Sequence, residues 1–288
     1  MRHVLIAILG TGLLTTPAAF AETSNDHHTV TLSYKYQDDD TGVADVSVVA
    51  VAIEGRFRFS PRFSLGYDAR LKSLSVPGGG SGDISDVELS PRFHVNDQLW
   101  IGAYAARASY ESPNFHTNAA GLQIGYDDGA VSGAFSMGRT ETGPVKRKIN
   151  NFSLRLGYAP ADNWEIFGSA LYSDFKTGDE MRSVGFGGAY TFKNGVSLFG
   201  GLEYIELVSD DATQGALGVS YTFRQAAVPV TLSGELSHTG DYNRIGVYLS
   251  IPVGGTKVGR VPHGSATGKI RKGYRDPFDA FFNSYLFP

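Results

Sequence analysis

Between Arg244 and Val253 the chain alternates strictly. Ile245, Val247, Leu249, Ile251 and Val253 fall on one side, and Arg244, Gly246, Tyr248, Ser250 and Pro252 on the other. A period of two marks a strand with one apolar face, and proline at 252 suits a strand end or an edge. The rhythm recurs upstream. Val30, Leu32, Tyr34 and Tyr36 alternate with Thr31, Ser33 and Lys35, and Phe63, Leu65, Tyr67, Ala69 and Leu71 with Ser64, Gly66, Asp68, Arg70 and Lys72. It returns at Val87–Phe93, Phe152–Tyr158, Val184–Phe192 and Val230–Leu236. No 3.6-residue rhythm competes before the C-terminal segment. The stretch 43–59 is long enough to hide a bulge, and in 99–110 the apolar face is ambiguous.

Turn signals separate the runs. One set is tight: Ser60 to Arg62, Asn96 to Gln98, Asp127 to Gly129, Pro160 to Asn163, Lys193 to Gly195 and Arg224 to Val228. The alternate set reads as longer and more polar: Asp38 to Gly42, Ser75 to Ile84, Glu111 to Phe115, Thr140 to Lys148, Lys176 to Met181, Leu207 to Ala212 and Gly240 to Tyr242. Short and long connections in alternation predict an up-and-down antiparallel transmembrane β-barrel of about 14 strands, two either way. Aromatic residues gather beside the tight turns: Phe57, Phe59, Phe63, Phe93, Trp100, Tyr126, Tyr158, Trp164, Tyr190, Phe192, Tyr221 and Phe223. Rings collected at one set of turns predict a girdle at one membrane surface.

Composition sharpens this. Thirty-six glycines and 33 Tyr plus Phe accompany only 19% charged residues, and there is no cysteine. Disulfide, thiol and cysteine–metal chemistry are therefore excluded. Residues 1–21 read as a secretory leader: Arg2 and His3, an apolar run from Val4 to Leu14, then Ala19-Phe20-Ala21. No later apolar run approaches the length of a spanning helix. The domains expected are the leader, a barrel over 22–253 and a basic, aromatic-ended tail over 254–288.

The pattern polar–x–glycine–x–x–apolar–x–apolar at Arg244, Gly246, Leu249 and Ile251 resembles the insertion signal on the last strand of outer-membrane barrels. With the alternation, turns and rings over about residues 28–253, the chain resembles the porin-like outer-membrane β-barrels of Gram-negative bacteria. The resemblance implies an outer-membrane channel for passive diffusion of ions and small polar solutes. It implies contact with outer-membrane lipid and lipopolysaccharide, and with the barrel-assembly machinery during insertion. No stretch is obviously long enough for the constriction loop of trimeric porins, so a monomer with a fairly open lumen is expected. A non-channel barrel acting as a structural or assembly anchor through its tail is the alternative. A lipid-active barrel enzyme comes third.

If the apolar positions face lipid, their neighbours line the pore. The early strands then supply Arg56, Arg58, Asp68, Arg70, Lys72, Glu88, Arg92, His94, Arg107 and Arg155. Later strands supply Glu165, Glu203, Glu235 and Arg244. A basic arc would face a more acidic one, a transverse field that filters small solutes as charged rings do. No enzyme is expected: His94 stands on a polar face and His238 follows Ser237 close to the outer loops, and neither has a partner that spacing identifies. No metal-spaced cluster or cofactor motif stands out. Asp38 to Asp40 and Asp210-Asp211 read as solvated loop charges.

Charge is uneven. The whole chain carries −4; Arg2 leaves with the leader, and residues 254–288 hold Lys257, Arg260, Lys269, Arg271, Lys272 and Arg275 against Asp276 and Asp279. The tail is therefore +4 and the stretch 22–253 is −9. An acidic body excludes nucleic acid as a partner. Gly254 to Gly273 has the composition of a flexible linker. Beyond it, Asp276-Pro277 reads as a helix start, an N-cap followed by proline. Phe278, Phe281, Phe282 and Tyr285 then share one helix face. The tail has four readings: lying on the periplasmic leaflet, turning up into the lumen as a plug with its cations pairing with Glu165, Glu203 or Glu235, docking on a periplasmic partner, or remaining a disordered extension.

Overall fold

The computed structural model describes residues 27–39, 45–78, 80–111, 115–144, 146–176, 178–207, 210–223, 228–240, 242–253 and 259–281. The leader, Phe282 and Tyr285 lie outside them. Fourteen strands run β1 (His27–Asp39), β2 (Val46–Arg58), β3 (Phe63–Ser75), β4 (Ser81–His94), β5 (Leu99–Tyr110), β6 (Phe115–Asp127) and β7 (Val131–Gly143). They continue through β8 (Lys148–Tyr158), β9 (Trp164–Asp174), β10 (Glu180–Thr191), β11 (Val196–Leu207), β12 (Asp210–Phe223), β13 (Val230–Thr239) and β14 (Tyr242–Val253). Each strand pairs antiparallel with its sequence neighbours, and β1 closes on β14 from His28↔Val253 to Asp39↔Tyr242. Two short helices follow, α1 (Ala266–Lys272) and α2 (Pro277–Phe281). The architecture is the all-β antiparallel barrel that the alternation predicts.

The two faces sort by parity. Outward positions stay exposed although apolar: Leu122 63%, Phe186 64%, Leu202 64%, Leu217 70% and Leu236 62%. Water would penalise such a belt heavily, and hydrocarbon would not. No helix among the described residues is long and apolar enough to cross a membrane; the spanning elements are the strands. Inward positions are largely buried and many are polar, among them Thr31, Ser64, Gln123, Ser153, Ser183 and Ser250, with large apolar groups such as Phe167, Leu171 and Phe199 between them.

Three expectations change. Within the stretch 43–59, β2 (Val46–Arg58) holds no bulge, because it keeps one register against both neighbours. The second set of connections is not systematically longer. Much of Ser75–Ile84 and Leu207–Ala212 is ladder, with Ser75↔Ser81, Ser73↔Asp83 and Leu207↔Asp210 paired. These strand ends extend past the apolar belt, so they lack the hydrophobic beat that reveals a strand in sequence. The aromatic girdle forms at the end where β1 begins and β14 ends, here the proximal end, with Phe59, Phe63, Trp164 and Phe223 exposed. Trp100 is not in it: it points inward at 5% exposure.

Candidate functional site

The lumen is not open. Residues 259–281 rise through it from the proximal end, and the inner wall holds them at many points. Glu235 on β13 accepts hydrogen bonds from the backbone N–H of Ala266 (2.8 Å) and Thr267 (3.1 Å). Ser265 accepts from Gly268 N–H at 2.9 Å. Together they satisfy the orphan donors that open α1. At its other end, Gly273 takes φ 68° and donates to the Lys269 carbonyl at 2.8 Å, the left-handed stop that glycine allows. Lys269, Arg271 and Lys272 fill the last turn, where cations suit the helix dipole. Asp276 caps α2 as expected, accepting from the N–H of Phe278 and Asp279.

Apolar contacts seat the tail against one wall. Ile270 is fully buried and packs with Phe167, Ala189, Phe199 and Val261. A side chain at Gly185 or Gly201 would come within 2.8 or 2.9 Å of Ile270 and would force it to shift. Tyr274 and Ala280 pack with Leu171, Met181 and Ile205. Phe278 meets Phe115 across the lumen, with ring centres 5.0 Å apart.

Ionic contacts reach the remaining walls. His263 lies between two carboxylates, Nδ1 3.2 Å from Glu54 Oε2 and Nε2 3.0 Å from Asp68 Oδ2. Lys272 Nζ is 2.8 Å from the same Asp68 oxygen. Asp68 and His263 Nε2 meet these partners as close charges, without hydrogen-bond alignment. Arg70 donates to Asp86 at 2.7 Å and to Asp279 at 3.2 Å. Arg271 pairs with Glu165 at 2.5 Å, and the Tyr274 hydroxyl donates to Glu203 at 3.0 Å. Arg275 donates to Ser136 (2.6 Å) and Gln123 (3.2 Å), with its Nε 3.6 Å from Glu88.

Glu54, Asp68 and His263 place ligand-type atoms within 4.8 Å of one another. Both ring nitrogens face carboxylates, which favours the doubly protonated ring, and a protonated nitrogen does not ligate. Although burial opposes charge on the ring, Asp68 and Glu54 raise His263 to about 9. With Lys272 adding a second cation, the cluster is an ion-pair knot rather than a metal centre.

Thirteen of the residues expected to line the pore stand at inward positions: Arg56, Arg58, Asp68, Arg70, Lys72, Glu88, Arg92, His94, Arg155, Glu165, Glu203, Glu235 and Arg244. Arg107 does not. It is exposed on the outer face, paired with Val87, its guanidinium 3.5 Å from Asn118 Oδ1. Around it, Ala103, Ala105, Ala106 and Ala108 give neither face a hydrophobic signal; Trp100 and Tyr104 inside and Ile101 outside set the parity. The two arcs are also less separate than expected, because Glu54 and Asp86 stand among the early basic residues. Sequence reading missed His263, Ser265, Ile270, Tyr274 and α1 itself, all in or beside the stretch taken for a linker. The signal available was complementarity: a basic tail beside a barrel with acids at inward parity. Of the expected tail face, Phe278 contacts the wall, Phe281 ends α2, and Phe282 and Tyr285 fall outside the described residues.

Ser64 Oγ and His94 Nε2 are 2.9 Å apart and buried. The charged groups around that ring are Arg56, Arg58 and Arg92, not the carboxylate that orients a catalytic histidine. His238 meets Asn243 at 3.0 Å on the exposed face.

The chain has the architecture of a closed 14-strand antiparallel β-barrel. No family model matches it, and no curated protein does. Among solved structures it is similar to a Pseudomonas aeruginosa FadL homologue, at 11% identity over 84% of this chain and 93% of that one, TM-score 0.49. It is also similar to the CymD monoaromatic hydrocarbon channel (13%, 84% and 91%, 0.48) and to the KdgM porin (14%, 77% and 98%, 0.43).

Proposed function

We propose that the protein is an outer-membrane channel for passive passage of ions and small polar solutes, closed at rest by its own C-terminal segment. The observation that carries this reading is the inner wall. It is polar and charged over much of its circumference, and Arg56, Arg92 and Arg155 stand on it without ion pairs among the described residues. Burying so much charge costs free energy that an inert wall need not spend. The apolar belt supports a lipid setting, with lipopolysaccharide and outer-membrane lipid as its surroundings, and a monomer is the simplest assembly.

A second reading has its own observation. The tail touches most of the wall, which suits a non-channel barrel serving as an anchor. Single-channel recording on the mature protein, with and without residues 255–288, separates the two. The channel reading expects rare or small openings from the full chain and steady conductance after truncation. Steady conductance in both would make the tail accessory. Silence in both, from barrels shown to be folded by heat-modifiable gel mobility, would overturn the channel in favour of the anchor.

A further inference from the structure

Near the proximal end, the inner wall carries cations that the tail leaves without acids. The ladder His94↔Trp100↔Gly125↔Ala134↔Arg155 joins β4 to β8 in one row. The adjoining row runs Arg58↔Ser64↔Arg92, and Arg56 stands two residues further along β2. Arg92 therefore has Arg56, Arg155 and the tail's Arg275 as its charged neighbours, with Glu88 the acid in reach. Arg155 likewise faces Arg275, Arg56 and Arg271, again with Glu88. Glu88 already has Arg275 beside it, 3.6 Å away. Asp127 at the rim is the acid near Arg56. Among the described residues, Arg56, Arg92 and Arg155 form no ion pair.

Arg92 is held in this position. It is 7% exposed, its Nε has no hydrogen-bond partner, and its guanidinium lies over the Trp100 ring at 4.2 Å. That ring needs Gly125, where a side chain would strike it at 2.2 Å. A buried donor without an acceptor is costly, and several like charges in one layer add to that cost. Both costs vanish if an anion supplies the acceptors. Guanidinium groups suit oxyanions because their planar fork donates two parallel bonds.

We propose that Arg56, Arg92 and Arg155 form a binding site for a small multivalent oxyanion, a phosphate or polycarboxylate. The site deepens the channel reading by naming a solute class, but binding there does not require conduction. Trp100 reports on it directly. The chain has two tryptophans, and Trp164 sits half-exposed in the outer girdle, so Trp164→Phe leaves one reporter beside Arg92.

In detergent micelles, pyrophosphate or citrate should change Trp100 emission saturably, and chloride at equal ionic strength should not. Arg56→Gln with Arg155→Gln should weaken the apparent affinity at least tenfold. Arg107→Gln, on the outer face, should leave it unchanged. Gel mobility checks that each variant is folded, and the single Arg155→Gln replaces the double variant if that fails. The absence of any saturable response, or equal affinity with and without the two arginines, would overturn the site. Binding without conductance in any form would sink the channel and leave the site standing. Conductance without binding would do the reverse.

Discussion

Glu235 shows how one side chain holds the tail. Its two oxygens take the first two N–H groups of α1 and the Tyr248 hydroxyl. Glu235→Ala leaves those donors buried and unmatched, at about 1.5–3 kcal/mol for bonds to a charged group; Glu235→Gln should cost less because it keeps an acceptor. Limited proteolysis of the tail on a folded barrel reads the difference, and equal rates in both variants would contradict it. His263 and Asp276 should act in one direction. His263 is raised to about 9, so its contribution is complete below about 6.5 and is lost as pH climbs through 9. Asp276 is raised to about 7 by burial and by Asp279, against the N–H groups of Asp279 and Phe278. A raised carboxyl also favours the protonated seated state, and that preference is lost between about 3.9 and 7. His263 should therefore add a step of faster tail proteolysis as pH climbs through about 9, a step that His263→Gln removes; buried Lys269, whose pKa burial lowers, pulls the other way, so the variant comparison carries the test. At this scale sequence parity told inside from outside well. It failed at Arg107, where flanking alanines erased the contrast.

Among elements, α1 rests on one large side chain. Ile270→Ala removes a fully buried residue from the contact with Phe167 and Phe199 and should cost about 2–5 kcal/mol. The loss belongs to tail seating, so gel mobility of the barrel should hold while tail cleavage rises sharply; a barrel that melts instead would refute the separation. Gly268→Ala should act alike, because its Cβ would come 2.3 Å from the Pro262 carbonyl. The strands were legible because lipid demands an apolar beat on one face. The polar strand ends beyond the belt carry no such beat and passed for loops. The helix α1 was illegible for a related reason. Ala-Thr-Gly-Lys-Ile-Arg-Lys has one large apolar residue, and besides its local Ser265 cap its first N–H groups depend on the Glu235 carboxylate, far away in sequence.

For the whole molecule, the wall closes through β1 and β14 without help from the tail. Deleting residues 255–288 should therefore leave a barrel that still shows heat-modifiable mobility, with Asp68, Glu203 and Glu235 newly wetted; failure to form a barrel would make the tail part of the fold. The charge imbalance between tail and barrel was visible in composition, yet composition could not say where the two meet. The surfaces that meet combine ion pairs with apolar contacts around Ile270 and Tyr274, and neither repeats along the tail in a way that hydrophobic patterning could read.

Only five residues, 254–258, separate the last strand from the first described residue of the tail. A segment on so short a leash does not diffuse away when it leaves its seat. Its local concentration stays in the millimolar range, so even a weak seat is refilled quickly, and a free copy of the same peptide would compete poorly against it. Opening would then be brief and self-terminating: each vacancy would be a kinetic event timed by the tether, and no second molecule would be needed to shut the door.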